Sequence, residues 1–358
     1  MTESHGGFYT TGVARPGSIE TGSWLNQMTK LRLTLVVALH LGLLSAESLA
    51  AEAPVKLRVA YGTVTSGYSV VWVAKDAGIF ARNGLDLELL MIQSSPILAA
   101  AMVSGNLPAA VMGGSAALAS NLAGSDLVLI GSLRRISSLA FFVTTRDISK
   151  PEQLRGKTLG IDRYGGAGDM ILRLALGKLG LDPEKDVTIR QVGQSPVRLS
   201  ALQTNAIQGT ILSVEDKVVA DRLGFRLLVD VSKLGVDFLG ADLVTTRSLI
   251  KAEESTLRKF MKSIVEGIRY YKTHKSEALQ TIGRYMKVKD AAILEAGYDF
   301  NVQEYLAKPY PSIGGMQTAL EQISQTNPRA KNAELKRFFE ARFVRELDQS
   351  GYIDGLYK

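Results

Sequence analysis

The sequence of 358 residues contains no cysteine, and histidine is almost as scarce. Without cysteine, structural disulfides, thiolate catalysis and cysteine-based zinc sites are excluded. Of the three histidines only His274 follows residue 50, within a polar helical stretch where a solvent-exposed side chain is expected. We find no Gly-x-Ser-x-Gly motif and no carboxylates at calcium-loop spacing. The sequence therefore predicts no catalytic residue, no metal and no cofactor.

The sequence also lacks an apolar run long enough to cross a membrane, which takes ~20 residues. The longest such run is 33–44; two basic residues precede it and small residues follow it. This is the three-part pattern of a secretory signal peptide, with cleavage after Ala50 as the first choice and after Ala53 as the second. Met28 would begin a well-proportioned signal peptide, so translation starting there is an alternative. We assign 1–50 as leader and signal peptide and expect a periplasmic protein.

Charge of one sign is not concentrated anywhere in the chain. The formal net charge is +7, from 42 basic and 35 acidic residues. The densest basic region, 331–345, is interrupted by acidic residues and is interpreted as the solvated face of a helix, so no nucleic-acid partner is expected. Apolar residues make up 46% of the chain, which is ample for a large core.

Strand and helix patterns alternate from residue 55 onward. Short apolar runs predict strands at 57–61, 85–92, 109–112, 127–130, 158–161, 187–192, 210–212 and 226–231. Helical patterns separate these runs, which predicts mainly parallel sheets flanked by helices. The region 251–349 is helical in pattern and includes a predicted helix over 333–347.

Two stretches of the chain show strand and helix patterns at matching positions when they are aligned, without a gap, at an offset of 100 residues. Ser95-Pro96 then falls on Ser195-Pro196, and 101–113 falls on 201–213. We therefore predict an α/β protein of two similar lobes with a helical C-terminal region. Lobe 1 is assigned to 54–144 plus 238–358 and lobe 2 to 145–237.

The stretch IDRYGGAGDM, residues 161–170, places a glycine-rich turn between a strand and a helix. It lacks the Lys-Ser/Thr of a phosphate-binding loop, and Ile171 stands where a dinucleotide fingerprint has its third glycine. The first N–H groups of the helix have no intrahelical partners and attract an anionic or polar group. Two alternatives stay open: Asp169 could cap the helix and occupy that end itself, or the turn could need a positive φ and hold no ligand.

Three further turns join a strand to a helix in the same way. They contain Ser66-Gly67-Tyr68, Gly114-Ser115 and Ser213-Val214-Glu215. In open α/β sheets, turns at the carboxyl ends of strands line the ligand crevice, so the four turns predict a cleft between the lobes. Glu215 and Asp169 could act there as an acid/base pair, but helix capping is favoured for both. The sequence therefore predicts binding without turnover.

Four stretches, 71–95, 156–169, 180–193 and 244–250, resemble the nitrate/sulfonate/taurine-type substrate-binding proteins of ABC transporters. That family is related to the thiamine-pyrimidine synthases, and the resemblance covers nearly all of 55–348. It implies the two-lobed periplasmic-binding fold of type II. The chain would cross between lobes near Val143-Thr144 and near Asp237-Phe238.

The resemblance also implies ligand-binding positions, which coincide with the four turns. They are Ser66, Gly67, Tyr68, Gly114, Ser115, Tyr164, Gly165, Gly166, Ala167, Gly168, Asp169, Ser213 and Glu215, with Arg134 and Ser138 added near the first crossing.

The function implied by the resemblance is capture of a small polar, anionic organic solute for delivery to an ABC permease and its ATPase, by a monomeric protein. The synthase branch uses a cysteine-rich motif, which this chain lacks, and an active-site histidine, for which His274 is misplaced; both departures disfavour an enzyme. Two alternatives remain. One is a secreted enzyme that uses Glu215 and Asp169, and the other is a binding subunit of another transporter or of a sensor.

Overall fold

The computed structural model describes residues 9–12, 53–137 and 139–358. The predicted signal peptide, its first-choice cleavage site after Ala50, and Ser138 lie outside the described residues, and of the predicted leader only the exposed segment 9–12 is described. The second-choice cleavage site, after Ala53, falls at the start of the described range 53–137. Residues 54–358 form one compact unit. Within the described ranges, no helix combines the length and apolar character that a membrane crossing requires.

Ten strands in the described part of the chain form two five-stranded sheets. The strands are β1 (Val55–Tyr61), β2 (Leu85–Met91), β3 (Ala109–Met112), β4 (Leu127–Ser132), β5 (Leu139–Thr144), β6 (Thr158–Ile161), β7 (Thr188–Gln191), β8 (Gly209–Ser213), β9 (Arg226–Asp230) and β10 (Asp242–Thr246). The first sheet has the order β2-β1-β3-β10-β4 and the second β7-β6-β8-β5-β9. In each sheet three strands pair in parallel, and the strand that arrives from the other sheet, β10 or β5, pairs antiparallel to its neighbours.

Helices fill the connections and the C-terminal region. They are α1 (Ser69–Asp76), α2 (Ile79–Arg82), α3 (Ser95–Val103), α4 (Gly114–Leu122), α5 (Ala167–Lys178), α6 (Ser195–Gln203), α7 (Val214–Arg222), α8 (Arg247–Ala252), α9 (Glu254–Thr273), α10 (Lys275–Met286), α11 (Ala291–Glu304), α12 (Ile313–Ser324), α13 (Arg342–Gln349) and α14 (Tyr352–Gly355). The break between α1 and α2 falls at Gly78, whose φ of 69° is left-handed. Such a φ is readily adopted only by glycine, which explains why one helical pattern gives two helices.

Side chains alternate along the strands and reach apolar clusters on both faces of each sheet, although the edge strands β7 and β9 are partly exposed. In β1, Val59 and Tyr61 join the apolar cluster that includes α9, whereas Ala60 faces the cluster that includes α4 and α12. In β5, Phe142 packs toward α5, and Phe141 and Val143 pack toward α6 and α7. Helices on both faces therefore hold each sheet in place, as the alternating pattern predicted.

The chain passes between the sheets twice. The first connection, 133–138, joins β4 to β5, and the second, 234–241, follows β9 and a short 3-10 helix. The expected second crossing, at Asp237-Phe238, falls within the second connection. The expected first crossing does not: Val143 and Thr144 are buried within β5, between β8 and β9. The backbone of the apolar strand β5 makes its hydrogen bonds with other strands of the second sheet, so the crossing occurs before Leu139.

The two connections run beside each other and are hydrogen-bonded. Phe238 N–H donates to Arg135 O at 2.6 Å, and Leu133 N–H donates to Ala241 O at 2.9 Å. Gly240 lies so close to the first connection that an added Cβ would be 2.7 Å from Ser137 Cα. We call 133–138 and 234–241 together the crossing segments.

The helix predicted over 333–347 is wrong. The structure has a 3-10 turn at Leu335–Phe338 and an α-helix only from Arg342. Between them, Phe339 forms a parallel β-bridge with Leu129, and Glu340 N–H donates to Leu129 O at 2.8 Å. Pairing with the edge strand of the first sheet and burial of Phe338 override the local helical pattern.

Candidate functional site between the two sheets

A small polar cavity lies between the two sheets, at the carboxyl ends of β1 and β6. Its volume is about 20 Å³, room for roughly one water molecule. Both sheets and both crossing segments contribute to its wall. The lining residues are Gly62, Thr63, Tyr68, Ser94, Ser95, Ser137, Leu139, Asp162, Ala167, Gln194, Ser195, Arg198 and Gly240. We call it the cleft cavity.

Equivalent serines support the two sides of the cleft cavity. Ser95 Oγ accepts the N–H of Gly113 at 3.0 Å, and Ser195 Oγ accepts the N–H of Ser213 at 3.3 Å. The two pairs are 100 residues apart, as the offset in the sequence predicted. Each serine opens a helix, α3 or α6, and ties it to the end of a neighbouring strand. The same local structure therefore occurs once in each half of the molecule.

Ser94 is strained and lines the cavity. Its φ is 82°, although it is not glycine, and its side chain is buried. Within the described residues its Oγ has no hydrogen-bond partner. A non-glycine residue at such a φ costs about 1–3 kcal/mol, and strain of this kind concentrates at binding sites.

The glycine-rich turn at the start of α5 packs against a carboxylate of the chain itself. A Cβ added at Gly166 would lie 2.5 Å from Asp162 Oδ2, and one added at Gly168 would lie 2.7 Å from Asp162 Oδ1. The glycines are therefore required so that Asp162 can approach the helix start. Burial raises the pKa of Asp162, and the nearby Arg198 guanidinium opposes that rise.

Tyr164, Gly165 and Asp169, in the same turn, lie away from the cleft cavity. Gly165 is exposed with a φ of 71°, and its N–H donates to Asp169 Oδ2 at 2.8 Å. Asp169 also accepts a 2.7 Å bond from Arg173 Nε. Tyr164 is exposed, and its hydroxyl donates to Ile189 O at 2.8 Å. Tyr164, Gly165 and Asp169 line a wide outer groove of about 650 Å³ between α5 and α12 instead.

Asp169 and Glu215 differ in their role at the helix starts. Asp169 accepts the N–H of Gly165 within its own turn, but Gly165 precedes the N-cap residue Gly166, which as a glycine has no side chain to cap α5. In α7, however, the cap is Ser213, whose Oγ accepts the N–H of Asp216 at 3.3 Å. The capping role expected for Glu215 is therefore wrong, because its carboxylate turns away from its own helix.

Glu215 instead reaches the first sheet's side of the molecule. Its Oε1 accepts the N–H of Ser66, at the start of the short 3-10 helix before α1, at 2.9 Å. The glycine at 297 makes room for both groups, since a Cβ there would lie 3.0 Å from Glu215 Oε1 and 3.0 Å from Ser66 Oγ. Glu215 Oε2 is buried and has no partner in the part of the chain that is described. The turn at Ser66, which was expected to hold a ligand, thus holds the Glu215 carboxylate from the half of the molecule that contains the second sheet.

Arg134 is fully buried beside this contact. Its Nη1 donates to Asn301 Oδ1, and Asn301 Nδ2 donates to Ser66 Oγ at 2.6 Å. Neither Nε nor Nη2 of Arg134 has a partner among the residues described. A buried guanidinium with unused donors is costly, so Arg134 marks a place where the interior is incompletely paired.

The turn before α4 also holds an internal carboxylate. Gly114 N–H donates to Asp242 Oδ2 at 3.0 Å, and a Cβ at Gly114 would lie 2.8 Å from that oxygen. Asp242 is fully buried, and this burial raises its pKa to about 7. Gly114 and Ser115 are buried near the strand ends but do not line the cleft cavity.

Two polar contacts complete the wall of the cleft cavity. Thr63 Oγ1 donates to Gln194 Oε1 at 2.7 Å and joins its two sides directly. Arg198, in α6, is fully buried and donates to Thr210 Oγ1, Gly193 O and Ile211 O. At the matching position 100 residues earlier stands Leu98, so the second half carries a guanidinium where the first has an aliphatic side chain.

Of the positions that the resemblance implied, Tyr68 and Ala167 reach the cleft cavity, and burial raises the pKa of Tyr68. The others lie in the turns around it or in the outer groove, and Ser138 is outside the described residues. Sequence reasoning missed Thr63, Ser94, Asp162, Gln194 and Arg198. The recurrence of Ser95-Pro96 at Ser195-Pro196 was the one available signal for the helix starts that carry Ser94 and Gln194.

Comparison with known proteins identifies the family. The profile described as NMT1/THI5 like matches residues 66–278, well over half of the chain. The chain belongs to the NMT1/THI5-like family. A Brucella abortus relative, named as a candidate binding protein, is 28% identical over 273 residues, covering 74% of this chain and 82% of its own.

Solved structures share the fold of this NMT1/THI5-like chain. The alkanesulfonate-binding protein SsuA of Xanthomonas axonopodis, bound to MOPS, has a TM-score of 0.65 at 16% identity, covering 80% of this chain and 97% of that one. The periplasmic nitrate-binding protein NrtA of Synechocystis has a TM-score of 0.66 at 12% identity, covering 84% and 90%. These likenesses confirm the predicted periplasmic-binding fold and the resemblance to nitrate- and sulfonate-binding proteins.

Proposed function

We propose that this protein is the solute-binding component of an ABC importer, exported to the periplasm. It holds one small polar solute in the cleft cavity and delivers it to a membrane permease without altering it. The observation that carries the proposal is the cavity itself, whose wall combines strand ends and helix starts from both sheets. Family membership and the names of the structural neighbours, periplasmic nitrate- and sulfonate-binding proteins, support it.

We propose further that the two sheets are the centres of two lobes that open and close about the crossing segments. The contacts Thr63–Gln194 and Ser66–Glu215 join the two halves around the cavity. A cavity of about 20 Å³ is too small for an organic solute, so admission requires that these contacts separate. A solute that bonds both sides would then favour the closed arrangement by its higher affinity for it.

The enzyme alternative finds little support in the geometry. Asp169 lines the outer groove and is paired with Gly165 and Arg173, whereas Glu215 lies in the Ser66 contact. An acid/base pair must reach one substrate together, and these contacts hold the two carboxylates at different places. Recovery of an unchanged solute after prolonged incubation is the result expected for a binding protein.

Solute binding can be measured by thermal shift on the chain from residue 51 onward. The panel contains sulfonates, carboxylates, nitrate, pyrimidines and small amines. A specific solute should raise the melting temperature with the logarithm of its concentration above Kd, because the native state is stabilised by RT ln(1 + c/Kd) at free solute concentration c, about 2.7 kcal/mol at 100 times Kd. Shifts that grow with the logarithm of the solute concentration, with the solute recovered unchanged, support the proposal.

A blocking variant locates the site. Ala167 lines the cavity and packs close to Gly113, since a Cβ at Gly113 would lie 3.3 Å from Ala167 Cβ. Ala167→Leu should fill the cavity and abolish the solute's shift. Ala292→Leu, at an exposed position in α11, is the matched control and should retain it. Equal shifts in both variants would place binding elsewhere and refute the proposed site.

A further inference from the structure

The cleft cavity contains an unused hydrogen-bond acceptor. Asp162 lines it, and its Oδ1 is buried without a hydrogen-bond partner in the described part of the chain. The guanidinium on the same wall is in the opposite situation, because Nε, Nη1 and Nη2 of Arg198 each donate to an acceptor of the chain. Of the two charged side chains that line the cavity, Asp162 therefore has an unpaired acceptor oxygen. Every guanidinium nitrogen of Arg198 already donates to an acceptor of the chain.

The place where an anion would be held is already occupied by the carboxylate of Asp162. That carboxylate packs against Gly166 and Gly168, at the positive end of α5. A second anion beside it would be repelled in a buried setting where charges are poorly screened. The turns at Ser66 and Gly114 are also occupied by carboxylates of the chain. Glu215 accepts the N–H of Ser66, and Asp242 accepts the N–H of Gly114. An anionic solute in the cavity would thus meet the carboxylate of Asp162, whereas Ser66 and Gly114, which do not line the cavity, already donate their N–H groups to carboxylates of the chain.

We propose that Asp162 is a specificity-determining residue and that the solute presents to it a positively charged, hydrogen-bond-donating nitrogen, as an amine or amidine does. This inference rests on the proposed function and names its solute class. A charge-assisted N–H···O bond to Asp162 Oδ1 satisfies the unpaired oxygen, and Ser94, which lines the same cavity, has an Oγ that is also without a partner in the described residues. Nitrate, sulfonates and carboxylates are discriminated against at this end of the cavity.

The test uses probe pairs of matched shape and opposite charge. Acetamidinium is compared with acetate and benzamidinium with benzoate, by titration calorimetry at constant ionic strength and pH. The wild-type chain should bind the cation of each pair more tightly. Asp162→Asn keeps the side-chain shape, and it should weaken cation binding at least about tenfold while strengthening anion binding.

Asp221→Asn is the matched control, because Asp221 lies in α7 of the same half, paired with the lysine at 217, and does not line the cavity. It should leave every affinity unchanged. Tighter binding of acetate or benzoate by the wild type, or an unchanged cation-to-anion ratio in Asp162→Asn, overturns the inference and leaves solute capture standing. If neither these probes nor the thermal-shift panel bind, the proposed function fails as well.

Discussion

Replacing Gly240 by alanine is expected to destabilise the protein by about 1–3 kcal/mol and to abolish solute binding. The added Cβ would lie 2.7 Å from Ser137 Cα and 2.9 Å from Ile136 O. Both atoms are backbone, so the clash is relieved only if the crossing segments separate. Because Gly240 and Ser137 also line the cleft cavity, the same shift displaces part of its wall. Urea unfolding and solute titration measure the two effects.

The control is Gly177→Ala. Gly177 is within α5, has no atom within 4 Å of an added Cβ and is not among the glycines with positive φ. Alanine at such a helical position should stabilise the protein by about 0.5–1 kcal/mol, because glycine loses more backbone freedom on folding. A Gly240→Ala variant as stable as the wild type would show that the crossing segments are not in tight contact in solution.

The stability of the protein is expected to fall by roughly 2 kcal/mol between pH 5 and pH 8 because of Asp242 alone. The pKa of this buried carboxyl is raised from 3.8 to about 7, chiefly by burial. A raised carboxyl pKa means that the folded state binds the proton more tightly than the unfolded state. The contribution is therefore fully present below pH 4 and is lost as the pH rises through about 7.

The measurement is urea unfolding at pH 5 and pH 8 of the wild type and Asp242→Asn. The amide can accept the N–H of Gly114 and donate to Ser132 Oγ, the two groups that bond the carboxylate. Other titrating groups contribute equally to the wild type and to the variant. The difference between the two proteins in how their free energy of unfolding changes with pH therefore isolates the contribution of Asp242. Parallel slopes would mean that Asp242 stays ionised in the folded state and would contradict the prediction.

The fold was largely predictable because it follows from local patterns. Alternating apolar runs and helical spacing predicted two mainly parallel sheets, but not the strands β5 and β10, which pair antiparallel to their neighbours. The phase at an offset of 100 anticipated the paired contacts of Ser95 and Ser195. The helix over 333–347 was not predictable in this way, because Phe339 pairs with β4, a strand about 200 residues earlier. The first crossing was misplaced for the same reason: membership of β5 in the second sheet depends on its partners β8 and β9.

The sequence by itself determined that this chain has no thiol or metal chemistry based on cysteine, that its strands and helices alternate, and that glycine-rich turns precede its helices. Only the tertiary structure decided what those turns hold. The carboxylates of Asp162, Glu215 and Asp242 reach the turns at 166–168, 66 and 114. Two of these contacts join residues more than 100 positions apart. A helix start attracts any anion, and whether that anion is a solute or a side chain depends on packing, which local sequence does not encode.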